Sequence, residues 1–103
     1  MNNKRVVIDA GHGGADSGAV ANGLVEKDLT LKIAKYLKNR FDELGIESSL
    51  TRDADITLNP TDRVNKVLNL YGNDKDVIVL SNHINAGGQD AYYVVNSRHS
   101  VWL

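Results

Sequence analysis

Two histidines and one glutamate carry the chemistry that this sequence offers. His12 stands inside Gly11-His12-Gly13-Gly14, shortly after the apolar run Val6-Val7-Ile8. His83 stands inside Ser81-Asn82-His83-Ile84-Asn85, shortly after a second such run, Val77-Ile78-Val79-Leu80. Glu26 opens an amphipathic segment. Two imidazoles and a carboxylate, with a fourth position left to water, make a ligand set for catalytic zinc, whose Lewis acidity lowers the pKa of bound water to about 7. Hydrolysis is the implied chemistry. The sequence has no Cys, which removes thiolate zinc sites, disulfide frameworks and cysteine nucleophiles and leaves His and carboxylates as the metal ligands.

Each of these residues also has a plainer reading. A histidine beside a glycine turn serves as a hydrogen-bonded loop residue, and a glutamate at a helix start is favoured by the helix macrodipole. A glycine-rich turn can also cradle phosphate. Here Gly13 is followed by Gly14-Ala15-Asp16 with no Lys-Ser/Thr, so neither a dinucleotide fingerprint nor a P-loop is completed.

The elements that must position these residues are written in the periodicity. The β-branched apolar runs predict buried strands over residues 5 to 9 and 77 to 80, the latter ending at Ser81 or Asn82. From Glu26, the apolar residues Leu29, Ile33, Leu37, Phe41 and Leu44 recur at spacings of three and four, which predicts a helix. Gly45 supplies its stop, and residues 46 to 51 offer another strand. The only proline, Pro60, lies in a turn leading into a second helix with Val64, Val67, Leu68 and Tyr71 on one side. Thr61 or Asp62 is its expected cap, and Gly72-Asn73-Asp74 its end.

Strands alternating with helices predict an α/β fold in three layers, with a mainly parallel, twisted sheet and helices on both faces. Right-handed crossovers that place the second and third strands on opposite sides of the first bring His12 and His83 into one crevice beyond the strand C-termini. Glu26, at the start of the helix that follows the first strand, falls on the same edge.

The 103 residues fit one domain. Lys plus Arg number 12 against 13 Asp plus Glu, a formal charge of -1, so nucleic acid and anionic lipid are not expected partners. No run is long enough for a membrane span. The basic start is followed by an apolar run that stops at Asp9, so no signal peptide is expected.

With these residues placed, the chain resembles a family. Residues 7 to 19, Val-Ile-Asp-Ala-Gly-His-Gly-Gly-Ala-Asp-Ser-Gly-Ala, and residues 22 to 29, Asn-Gly-Leu-Val-Glu-Lys-Asp-Leu, are similar to the opening of zinc-dependent N-acetylmuramoyl-L-alanine amidases of the amidase-3 type, which include phage endolysins and bacterial autolysins. Thr51-Arg52-Asp53-Ala54-Asp55 resembles that family's Thr-Arg turn after the second strand, Arg63 its helix-two arginine, and Ser81-Asn82-His83-Ile84-Asn85-Ala86 its Ser-x-His-x-Asn-Ala segment. The resemblance covers residues 5 to 86. It implies His12, Glu26 and His83 as zinc ligands, with Asp16, Arg63 and Asn85 orienting ligands or substrate. It implies peptidoglycan as substrate, cleaved between N-acetylmuramic acid and L-alanine, and action at the cell wall after release by lysis or a holin-type route.

The sequence departs from the family in its tail. The family's general-base glutamate comes from a late segment that is not found here, and the only acidic residue after His83 is Asp90. Residues 92 to 95 offer a strand, His99 an exposed position, and residues 87 to 103 read as divergent or truncated. The alternative expectation is therefore a catalytically impaired zinc-binding or wall-binding remnant, prone to self-association if its sheet is incomplete.

Overall fold

The computed structural model describes residues 4–72, 74–84 and 100–102. Its elements, in chain order, are β1 (Arg5–Ala10), β2 (Val20–Ala21), β3 (Leu24–Val25), α1 (Glu26–Glu43), β4 (Ser48–Leu50), α2 (Pro60–Tyr71), β5 (Val77–Asn82) and β6 (Ser100–Trp102). The main sheet has the order β4-β1-β5-β6 with every pair parallel. The predicted second and third strands thus flank the first on opposite sides, as right-handed crossovers require.

Successive side chains of β1 point to opposite faces, and each face finds a helix. Val6, Ile8 and Ala10 pack with Ala34, Leu37 and Phe41 of α1. Val7 packs with Val77 and Val79 of β5 and with Val67, Leu70 and Tyr71 of α2. This is the three-layer α/β arrangement. Val7 and Ile8 are wholly inaccessible, and burying side chains of that size contributes about 1.5–3 kcal/mol each.

Two local expectations need correction, and one element was not expected. First, α2 is capped by Asn59, whose side chain accepts the Asp62 N–H at 2.8 Å. Neither Thr61 nor Asp62 is the cap, because Pro60 occupies the first helical position, where its missing N–H costs nothing. Second, the buried faces are rotated from the apolar stripes. In α1, Glu26, Thr30 and Ala34 face inward, while Ile33, and Leu44 just past the helix end, are exposed. In α2, Val64 and Leu68 are exposed, and Leu70 packs with Val67 and Tyr71 instead. Third, a hairpin precedes α1. Val20 pairs with Val25 and Ala21 with Leu24, and Asn22 (φ 54°) and Gly23 (φ 78°) form the turn with two positive φ angles that suits the strand twist.

The stop at Gly45 takes the expected form. Gly45 (φ 72°) donates to Asp42 O at 3.1 Å and Ile46 to Phe41 O at 2.9 Å, the paired bonds of a Schellman ending. β6 adds a parallel strand beyond β5, over residues where no element was predicted. The strand expected at residues 92 to 95 lies outside the described residues, as does His99. Among the described residues no helix is long and apolar enough to cross a membrane.

Candidate metal centre

β1 and β5 end side by side, with Asp9 beside Ser81 and Ala10 beside Asn82. The residues that follow therefore emerge together at the C-terminal rim of the sheet. His83 leaves β5 there, and His12 turns back from β1 on a left-handed backbone (φ 63°). Glu26 is the first residue of α1 and is 4% exposed. His12 Nε2 lies 3.0 Å from Glu26 Oε2 and 3.3 Å from His83 Nδ1, and His83 Nδ1 lies 3.8 Å from Glu26 Oε2. The two rings meet edge to face, with centroids 5.0 Å apart.

Glu26 is a buried carboxylate with fixed donors. Its Oε1 accepts the Ala19 N–H at 3.0 Å and its Oε2 the Ile84 N–H at 2.8 Å, and the positive end of the α1 dipole favours its charge. The hairpin explains the placement: Glu26 N–H donates to Ala19 O at 2.8 Å, so β2 and β3 fold the chain back to bring both groups together.

His12 has two acidic neighbours. Asp16 Oδ2 lies 2.8 Å from Nδ1, opposite the nitrogen that faces Glu26. A neutral imidazole carries one N–H and cannot satisfy both. With that proton directed at Asp16, the lone pairs of His12 Nε2, Glu26 Oε2 and His83 Nδ1 converge on a common space that calls for a cation. The His12 contact, and then the Gly18 N–H at 3.1 Å, hold the Asp16 carboxyl below its ordinary pKa. Burial, followed by repulsion from His12 when that ring is charged, pushes the His83 pKa down, which favours the neutral form of the imidazole that a metal requires.

The donor set fits a divalent ion. Tetrahedral zinc, with bonds of about 2.0–2.2 Å, separates its ligand atoms by roughly 3.4 Å, and the three distances above bracket that value. Among the described residues His12, Glu26 and His83 are the group of His and acidic side chains whose donor atoms come close enough together to hold a metal. The contact of Asp16 with the outer nitrogen of His12 is the arrangement that fixes the tautomer of a ligating histidine.

Beneath the three donors lies a layer of buried charge. Asp9, 5% exposed, accepts from Thr51 Oγ1 at 2.9 Å, from Ser81 Oγ at 2.8 Å and from Arg63 Nη1. It thus joins the ends of β4, β1 and β5 to α2. Arg63 also donates to Ala10 O at 2.8 Å and to His12 O at 2.9 Å. Arg52, 2% exposed, donates to the carbonyls of Ala10, Gly11, Lys27 and Ala54 and to Thr30 Oγ1. Burial, and next the nearby Arg63, press its pKa below the usual arginine range. Thr30 Oγ1 donates to Gly11 O at 2.7 Å, and Asn82 Nδ2 to Thr30 O at 3.0 Å.

Sequence reading singled out His12, Glu26 and His83, and the fold brings them together. Asp16 touches His12, and Arg63 holds the His12 carbonyl. Asn85 lies outside the described residues. Asp9, Thr30 and Asn82 were missed. Their signal was a polar residue at the end of a buried apolar run, or on the inward face of a helix, where only a hydrogen-bonded role makes burial affordable.

A parallel sheet between two helical layers, with two imidazoles and a carboxylate converging at its C-terminal rim, defines an α/β domain with a candidate metal centre. The N-acetylmuramoyl-L-alanine amidase family matches residues 6–100, and the chain belongs to that family. The chain is 44% identical over 86 residues to the N-acetylmuramoyl-L-alanine amidase CwlM of Bacillus licheniformis, covering 82% of this chain and 32% of that protein. It is 44% identical over 84 residues to the endolysin of Bacillus phage SPP1, covering 81% and 30%. The N-acetylmuramoyl-L-alanine amidase from Clostridium difficile 630 superposes with a TM-score of 0.74 at 33% identity, covering 88% of this chain and 50% of that one. The chain thus spans between 30% and 50% of the length of these three relatives.

Proposed function

We propose that this chain is a zinc-binding peptidoglycan amidase domain that acts at the cell wall. The bond attacked is the amide between the lactyl carbonyl of N-acetylmuramic acid and the amine of L-alanine. One observation carries this reading: three metal-type donors converge at the sheet rim of a chain that belongs to the N-acetylmuramoyl-L-alanine amidase family. His12, Glu26 and His83 hold the ion. The chemistry zinc supplies at such a donor set is polarisation of an amide carbonyl and acidification of a coordinated water.

The chain's own residues set up that chemistry. Asp16, 2.8 Å from His12 Nδ1, favours the proton on that nitrogen, which would leave the Nε2 lone pair for the ion. The N–H groups of Ala19 and Ile84 aim the Glu26 carboxylate at the same point. Arg63 and Arg52 grip the carbonyls of residues 10 to 12 and keep the loop in register with the strand ends. The test is digestion of purified peptidoglycan by the full chain with zinc added. Newly exposed L-alanine amines, abolished by chelator, are the expected result.

A second reading is a metal-binding or wall-binding module without turnover. The carboxylates flanking the donors favour it, because each is committed: Glu26 to two N–H groups, Asp16 to His12 and Gly18, and Asp9 to Arg63, Thr51 and Ser81. Among the described residues, none of these three stands ready to shuttle the proton whose transfer is worth about 10²–10⁴-fold in rate. Tight zinc binding with no amine release identifies the metal-binding module; absence of zinc binding removes the amidase reading, and wall binding without zinc leaves the wall-binding module.

A further inference from the structure

Lys27 and Asp55 lie outside the three-donor centre, yet both grip Gly14 on the loop that carries it. Asp55 Oδ1 accepts the Gly14 N–H at 2.7 Å, and its Oδ2 accepts from Lys27 Nζ at 2.9 Å. The same ammonium donates to Gly14 O at 3.0 Å. The neighbouring Ala15 N–H is held by Thr57 Oγ1 at 3.0 Å. Gly13 and Asp16 then exchange backbone bonds in both directions, at 2.8 and 3.0 Å, so residues 13–16 form one closed turn. From that turn, Asp16 reaches His12 Nδ1.

We propose that the Lys27–Asp55 pair is a positioning clamp for the metal centre. By fixing the N–H and the carbonyl of Gly14 it holds Asp16 against His12 Nδ1, and so selects the tautomer whose Nε2 lone pair faces Glu26 and His83. This rests on the metal reading of the centre. The clamp joins α1 to the loop after β4 at the turn itself, beside the bonds that Arg52 makes from that loop to Lys27 O and Thr30 Oγ1. Asp55 and Asp16 are exposed while Lys27 is half-buried, and an ion pair with so exposed a carboxylate contributes little to stability. Their geometry has a different product. An exposed aspartate is free to rotate away from its histidine, and an anchored turn removes that freedom by fixing the backbone on which Asp16 stands.

The test uses the full chain labelled with ¹⁵N. Long-range imidazole correlations on the metal-free protein at mildly alkaline pH read the His12 tautomer, and calorimetric titration with zinc reads affinity. Wild type is expected to carry its His12 proton on Nδ1. In Asp55→Ala and Lys27→Met the tautomers are expected to mix, and zinc binding to weaken about tenfold, the lower end of what loss of an outer partner does to a metal site. The urea midpoint should stay close to that of wild type. Lys38→Ala, which breaks the distant Lys38–Asp42 pair, should move neither readout. Retention of a single His12 tautomer and of full zinc affinity in Asp55→Ala overturns the clamp. If wild type binds no zinc, the metal reading falls while the tautomer comparison still decides the clamp by itself.

Discussion

Gly11 and His83 interlock. A Cβ on Gly11 would stand 2.6 Å from His83 Cε1, 2.7 Å from His83 Nδ1 and 2.8 Å from the Asn82 carbonyl oxygen, distances that real Cβ atoms essentially never show. The first glycine of the loop is therefore a packing requirement of the second histidine. Gly11→Ala is expected to push the His83 ring away from His12 and Glu26 and to weaken zinc binding by at least about tenfold. Calorimetric titration reads the loss. Unchanged affinity would mean that His83 does not bind the ion.

Glu26→Gln separates charge from shape. Glutamine offers one acceptor oxygen where two N–H groups, those of Ala19 and Ile84, point at the side chain. Its NH₂ must therefore face a donor, an unmet buried contact that costs about 1–3 kcal/mol. Urea unfolding followed by circular dichroism should show that decrease. Zinc binding should fall more steeply, because the anionic ligand is gone. A variant that is destabilised but binds zinc normally would remove Glu26 from the ligand set.

His83 gives the metal-free protein a pH-dependent stability. Its pKa is lowered from the ordinary 6.5 by burial and by His12, so the unfolded chain takes up this proton before the folded chain does. Where the unfolded state binds more protons, stability rises with pH. The contribution is complete above 6.5 and is lost as pH falls through that value toward the lowered one. The thermal midpoint is expected to decline with acidification across this window in wild type and to flatten there in His83→Gln. An identical decline in both proteins assigns the effect to another group.

Much of this site could be read from the sequence because its three converging residues follow two short β-branched runs and open one helix. Strand ends and a helix start are positions that pattern alone locates. Helix faces could not be read the same way. In α1 the polar residues Glu26 and Thr30 turn inward, because one serves the donor cluster and the other donates to Gly11 O. A stripe drawn through Leu29, Ile33 and Leu44 is pulled off the true buried line. In α2 the reach of Arg63 back to Ala10 and His12 fixes the rotation, so Val67, Leu70 and Tyr71 go inward and Val64 does not. The hairpin escaped notice for a different reason. Each arm has two residues, too short for periodicity, and its signal was the Asn22-Gly23 pair.

Arg63 and Asp9 offer the sharpest test of the layer beneath the donors. Asp9 is buried and shares its charge with Arg63, while Thr51 and Ser81 supply neutral donors. Arg63→Met leaves that carboxylate without its cation, a loss of about 3–5 kcal/mol for a broken buried pair, and frees the His12 carbonyl. Arg63→Lys should recover only part of this, because one ammonium cannot span Asp9, Ala10 O and His12 O together. Adding Asp9→Asn to Arg63→Met removes the orphaned charge. If the penalty is electrostatic, the double variant is more stable than Arg63→Met alone, with a coupling energy within the 0.5–3 kcal/mol found for contacting residues. A double variant as unstable as the sum of its parts would assign the cost to lost packing of the Arg63 stem and remove the ion pair from the account of how the strand ends are held.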